Sequence, residues 1–146
     1  MQYNEMTISH VTQIAELEMQ CFSAPWSENS ITNELSNPLS LWIVAEENGR
    51  VVGYVGSQSV MDEADMMNLA VDPNYRRMGI AEHLVSELIV RLRGVGVMCL
   101  TLEVRQSNIA AISLYQKLGF EQVGCRPNYY SNPKEPALIL RKEWDV

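Results

Sequence analysis

The chain has 146 residues, 47% of them hydrophobic and 20% charged, which sets aside disorder and fits a single domain spanning residues 1–146. Its longest uninterrupted apolar run, Leu41 to Ala45, is far too short to cross a membrane as a helix. A net charge of −7 sets aside the basic footprint that nucleic-acid binding requires.

In chain order, Thr7-Ile8 is expected to end a short strand. Val11, Ile14, Leu17 and Cys21 then recur at helical spacing, with Ser9 as the expected cap. A second helix is expected from Ser27, burying Ile31 and Leu35 and stopping before Pro38. Leu41–Ala45 and Val51–Val55 read as strands joined by a hairpin at Asn48-Gly49. A turn over Asp62–Asp65 leads to a third strand, Met66 to Val71, closed by Asp72-Pro73. From there strand and helix alternate. Ile80, Leu84, Leu88 and Leu92 form one helical stripe over residues 79–93, and a half-polar strand runs from Met98 to Val104. Asn108 caps a helix that ends at Leu118-Gly119. Strands near Phe120–Arg126 and Ala137–Arg141 flank a loop holding Asn128, Tyr129 and Tyr130. The sum is an α/β fold with a mixed sheet.

Two stretches carry chemistry. After the strand end at Asp72-Pro73, a helix begins over Arg76-Arg77-Met78-Gly79-Ile80-Ala81. Helix N-termini offer unpaired N–H groups and positive partial charge, small residues let a ligand approach, and arginines add forked donors: a cradle for phosphate or pyrophosphate. The Gly-Lys-Ser/Thr ending of a Walker loop is missing, as is a dinucleotide fingerprint. The second stretch is Leu102-Glu103-Val104-Arg105-Gln106-Ser107-Asn108, followed by Leu114-Tyr115 and Leu118-Gly119-Phe120. Glu103, late in an apolar strand, is either a partnered structural charge or a base; Tyr115, on a helical stripe, reads as core with its hydroxyl bonded; Asn108 is most economically a cap.

Residues 1–75 carry eleven acids against Arg50 alone, and residues 76–146 carry ten bases against seven acids. Either both halves are ordinary solvated surfaces, or one favours cations and the other an anion. Cys21, Cys99 and Cys125 lack metal or redox spacing and read as reduced thiols of a cytoplasmic protein. The first Lys or Arg is Arg50, so neither a secretory leader nor a transit peptide is expected. His10 and His83 have no spacing that suggests a metal site.

Taken together, these residues resemble the GCN5-related N-acetyltransferases (GNAT). Arg76-Arg77-x-Gly79-x-Ala81 after Leu69-Ala70-Val71-Asp72-Pro73 is similar to the family's acetyl-CoA signature. The run from Leu102 to Phe120 is similar to the RimI branch, which acetylates protein α-amines; Phe22–Trp26 and Asn128–Tyr130 extend the likeness over residues 4–141. Ala81 stands where many members have a second glycine. The resemblance implies a mostly antiparallel seven-stranded sheet splayed into a V with about four helices, holding acetyl-CoA as co-substrate and no metal. It implies that Leu69, Ala70 and Val71 offer backbone groups to the acetyl and pantetheine portion, in a distorted strand that could stabilise an oxyanion. It implies that Arg76, Arg77, Met78, Gly79, Ile80, Ala81 and Glu82 hold the pyrophosphate, that Asn108 and Tyr115 contact the cofactor, and that Glu103 accepts a proton while Tyr115 donates one. The implied acceptor is the N-terminal alanine of a basic small-subunit ribosomal protein, S-eighteen, with Pro25, Trp26, Tyr129 and Tyr130 lining the peptide end. A monomer or weak dimer is expected, with no nucleic-acid or membrane partner. Alternatives are a Lys side chain, polyamine or other small amine as acceptor, or a non-catalytic acyl-CoA sensor.

Overall fold

In a computed structural model, which describes residues 1–131 and 133–144, seven strands form one sheet in the order β1-β2-β3-β4-β5-β7-β6. The strands are β1 (Gln2–Glu5), β2 (Ser40–Glu47), β3 (Arg50–Val60), β4 (Glu63–Val71), β5 (Cys99–Arg105), β6 (Glu121–Tyr130) and β7 (Glu135–Glu143). The helices are α1 (Val11–Cys21), α2 (Glu28–Leu35), α3 (Ile80–Gly94) and α4 (Ile109–Lys117). Every strand pair is antiparallel except β4–β5.

The apolar run in β2 belongs to a strand buried on both faces. Ile43 and Ala45 join Leu84, Leu88 and Leu100 in the core under α3 and α4. Trp42 and Val44 face the other way, with Ile14, Ile31 and Tyr54 under α1 and α2. Ser27 caps α2 by accepting from the Ser30 N–H at 3.0 Å, as its sequence position predicts. Gly56 on β3 pairs with Trp42, and a Cβ there would fall 2.6 Å from Trp42 Cδ2. Gly56→Ala is therefore expected to destabilise the fold by about 1–3 kcal/mol, read as a lowered denaturant midpoint, because the indole ring has no room to retreat.

Several boundaries differ from those expected. The first strand lies upstream of Thr7-Ile8: at Thr7 the chain leaves the sheet, and the Thr7 N–H donates to His10 Nδ1 at 2.9 Å. Ser9 accordingly sits inside a 3-10 turn, and His10 is the residue before α1. Residues Glu63 to Asp65 belong to β4, since they alternate exposed, buried, exposed; their acidity mimics a turn, but the turn itself is Met61-Asp62, with Met61 at φ 58°. Asn128, Tyr129 and Tyr130 lie within β6.

Two irregularities shape the site. Gly56 pairs with Asn68 and Ser57 with Met66, which leaves Met67 as an extra residue, a β-bulge. The distortion thus precedes Leu69–Val71, whose pairing with β3 is regular. The bulge exchanges the faces: Ala64 and Met66 point to the α3/α4 core, and beyond it Leu69 and Val71 do, while Ala70 joins the α1/α2 core. In addition, β4 and β5 pair only over Glu63–Asp65 and Cys99–Thr101, then part. That parting is the splay of the V.

Candidate active site

A cavity of about 550 Å³ lies between the end of β4, the start of α3 and α4. One end is built by the approach to α3. A short 3-10 turn, Pro73–Tyr75, is capped by the Asp72 carboxylate, which accepts from the Asn74 N–H at 2.9 Å. The chain then passes through left-handed backbone at Arg77 (φ 65°) and Gly79 (φ 79°) before α3 begins at Ile80. An L side chain at Gly79 would be strained, although nothing lies within 4 Å of where its Cβ would sit. The first turn of α3 therefore opens onto the cavity with its N–H groups unblocked, a fit for an anion.

Of the residues expected to hold a pyrophosphate, Arg76, Arg77, Gly79, Ile80, Ala81 and Glu82 line this cavity and Met78 does not, its side chain being exposed. Arg76 is already engaged at the end of β4, donating from Nε to the Val71 carbonyl at 3.3 Å. Glu82 is paired with Lys117 of α4 at 3.1 Å, which offsets a carboxylate in an otherwise cationic mouth.

Leu69, Ala70 and Val71 form one wall, Ala111 and Leu114 of α4 the other, and Asn108 caps α4 by accepting from the Ala111 N–H at 3.2 Å. Tyr115 is buried, packed edge-on against Phe120, and its hydroxyl donates to Met66 Sδ at 3.7 Å. Burial, reinforced by Tyr130, pushes its pKa up, so the hydroxyl stays protonated.

A second, smaller cavity of about 220 Å³ lies in the split itself, lined by β4 and β5 alike, and Leu69, Asn108, Ala111 and Tyr115 line both cavities. Glu103 lines only this second one. Its Oε1 lies 3.2 Å from Arg126 Nε. The Glu103 carboxylate, which accepts from Tyr129, raises the pKa of that phenol, and Arg126 sits over the Tyr129 ring at 5.5 Å. Tyr130 also lines the cavity, with Arg105 stacked 4.4 Å above its ring. Pro25 and Trp26 line neither cavity: Pro25 is exposed, and Trp26 packs edge-on against Trp42 while its N–H donates to Glu18 Oε1 at 2.8 Å.

Other residues of the site are not among the expected site residues. Cys21 and Phe22, at the end of α1, line the larger cavity. Asn68 lines the smaller one. Asp65, whose pKa is raised by burial and then by Glu103, stands near that carboxylate. Among the described residues no group of His, Cys, Asp or Glu could hold a metal ion, and no helix is long and apolar enough to cross a membrane.

A helix start with room for an anion, a split between two parallel strands and a buried hydroxyl at the junction of two cavities stand together, and the sequence pattern of the acetyltransferase (GNAT) family covers residues 11–120. The chain belongs to that family. Among acetyltransferases, it is 39% identical to the [ribosomal protein bS18]-alanine N-acetyltransferase of Escherichia coli strain K12 over 127 residues, 85% of this chain and 84% of that one. The Haemophilus influenzae protein of the same description is 37% identical over 132 residues, 88% of each chain. The crystal structure of the Escherichia coli ribosomal-protein-S18-alanine N-acetyltransferase superposes with a TM-score of 0.91 at 33% identity, covering 99% of this chain and 94% of that one.

Proposed function

We propose that residues 1–146 act as a single acetyl-CoA-dependent N-acetyltransferase domain that acetylates the N-terminal alanine of ribosomal protein bS18 (S-eighteen) in the cytoplasm, as a monomer or weak dimer. The observation that carries this reading is the junction of the two cavities at Tyr115 and Leu69, with the anion-binding helix start on one side and Glu103 on the other. The larger cavity takes acetyl-CoA, its pyrophosphate at the first turn of α3 beside Arg77 and its thioester against β4. The smaller one takes the acceptor amine.

In a direct transfer the amine nitrogen bonds to the thioester carbonyl carbon and the C–S bond breaks. Glu103, directly or through a water, removes the amine proton, and the Tyr115 hydroxyl supplies one to the departing sulfur. An α-amine has a pKa of about 7.7–8.0 against about 10.4 for Lys, so a single carboxylate near neutral pH suffices for the first and is poorly matched to the second. Backbone N–H groups after the Met67 bulge, on the side of β4 that has parted from β5, are placed to meet charge on the carbonyl oxygen. No acyl-enzyme is needed. The acidic first half of the chain, eleven acids to one base, favours a basic acceptor peptide, with Tyr130 in the smaller cavity and Tyr129 against Glu103 as its neighbours.

Mass spectrometry of a peptide that begins with a free Ala, continues with basic residues and contains one Lys tests this after incubation with acetyl-CoA. Acetyl on the α-amine alone is expected. Acetyl on the Lys moves the acceptor to a side-chain amine. Acetyl-CoA binding without transfer leaves another small amine or a non-catalytic sensor.

A further inference from the structure

One buried carboxylate has no part in the transfer just described. Glu18 on α1 is fully buried, and each of its partners is a donor on a different element. Oε1 accepts from the Trp26 N–H in the α1–α2 loop at 2.8 Å. Oε2 accepts from the Tyr54 hydroxyl on β3 and from Asn68 Nδ2 on β4 at 2.6 Å. A carboxylate in apolar surroundings costs free energy that a packed leucine would not, so its presence calls for a reason.

Asn68 supplies it. The Met67 bulge shifts the alternation of β4 by one residue, which carries Asn68 off the face of Met66 and toward α1, where Glu18 stands. Asn68 also lines the smaller cavity, together with Glu103 and Tyr115. The Asn68 NH₂ is spent on Glu18 Oε2, and the amide's carbonyl oxygen is the half left over. An attacking amine carries N–H groups that need acceptors once it leaves water, and an amide oxygen provides one without competing for the proton.

We propose that Asn68 presents Oδ1 to the acceptor amine, and that Glu18 is the positioning residue that holds the amide in this orientation. The proposal rests on the acetyl-transfer reading and adds a contact to the acceptor rather than to acetyl-CoA. Gln in place of Glu18 would offer an NH₂ of its own, so the Asn68 amide could turn over and face the amine with a donor instead.

The test is steady-state kinetics with the Ala-first peptide, alongside acetyl-CoA affinity and melting temperature, for wild type, Asn68→Ala, Glu18→Gln and the double variant. Asn68→Ala is expected to lower kcat/KM for the peptide about tenfold, the worth of one hydrogen bond to a polar partner, while acetyl-CoA affinity stays within about twofold. Glu18→Gln is expected to lower it in the same direction, and the double variant to match Asn68→Ala alone, since the two act through one contact. Unchanged peptide kcat/KM in Asn68→Ala, multiplying effects in the double variant, or an equal loss of acetyl-CoA affinity each overturns the proposal. Should Glu18→Gln not fold, Asn68→Ala decides the contact by itself. A wild-type enzyme that leaves the α-amine unmodified overturns the acetyl-transfer reading, and this proposal with it.

Discussion

Replacing Glu103 by Gln is expected to lower turnover of the peptide about 100-fold or more, the range for loss of a positioned general base, with acetyl-CoA affinity unchanged within about twofold. The separation follows from geometry: Glu103 lines the smaller cavity and not the larger one. Stability should barely move, because the ion pair it forms with Arg126 is more than half exposed on the arginine side, and such surface pairs contribute about 0–1 kcal/mol. The defect should also depend on pH. As pH rises through the α-amine pKa of about 7.7–8.0, the acceptor arrives already neutral, so the variant should gain on the wild type. Rates measured from pH 6.5 to 9.5 check this. Wild-type turnover in Glu103→Gln, or a defect that does not shrink at high pH, would remove Glu103 from the role of base.

Tyr115→Phe is expected to cost about 100-fold in turnover by a different signature. The ring keeps its packing against Phe120 at 5.5 Å, and the structure loses only the weak hydroxyl contact to Met66 Sδ, so the melting temperature should stay close to wild type. Burial and Tyr130 hold the phenol pKa above its ordinary value of about 10, so the wild-type hydroxyl is protonated throughout the working range, and the loss should be the same at low and high pH. A sulfur already accepts from this hydroxyl in the free protein, and the leaving thiolate is a stronger acceptor of the same kind. Full turnover in Tyr115→Phe would leave solvent as the proton source. A defect confined to acetyl-CoA affinity would make Tyr115 a binding residue instead.

Much of this molecule follows from local chemistry. The stripe of Ile80, Leu84, Leu88 and Leu92, the Ser27 and Asn108 caps, and the Asn48-Gly49 turn each act within a few residues, so their elements stand close to where the chain order places them. The open start of α3 is legible for the same reason: a glycine before a helix and two arginines need no distant partner to declare themselves. The run from Glu103 through Tyr115 names chemistry-bearing residues on one strand and the next helix, and with it the family.

What required the tertiary structure is everything set by pairing across long separations. Glu63–Asp65 looks like a turn until β4 lies between β3 and β5, where one face is buried and the other open. The Met67 bulge leaves no mark in the sequence, because it is a mismatch between two strands, yet it decides which side of the sheet Asn68 and Leu69 each face. Trp26, expected at the peptide end, packs against Trp42 because α1 and α2 close over that face of the sheet. Arg126 on β6 meets Glu103 on β5 across β7, which pairs with both strands. Sequence determines propensity, capping and residue chemistry, which are short-range; register and sheet order determine which of those residues share a cavity.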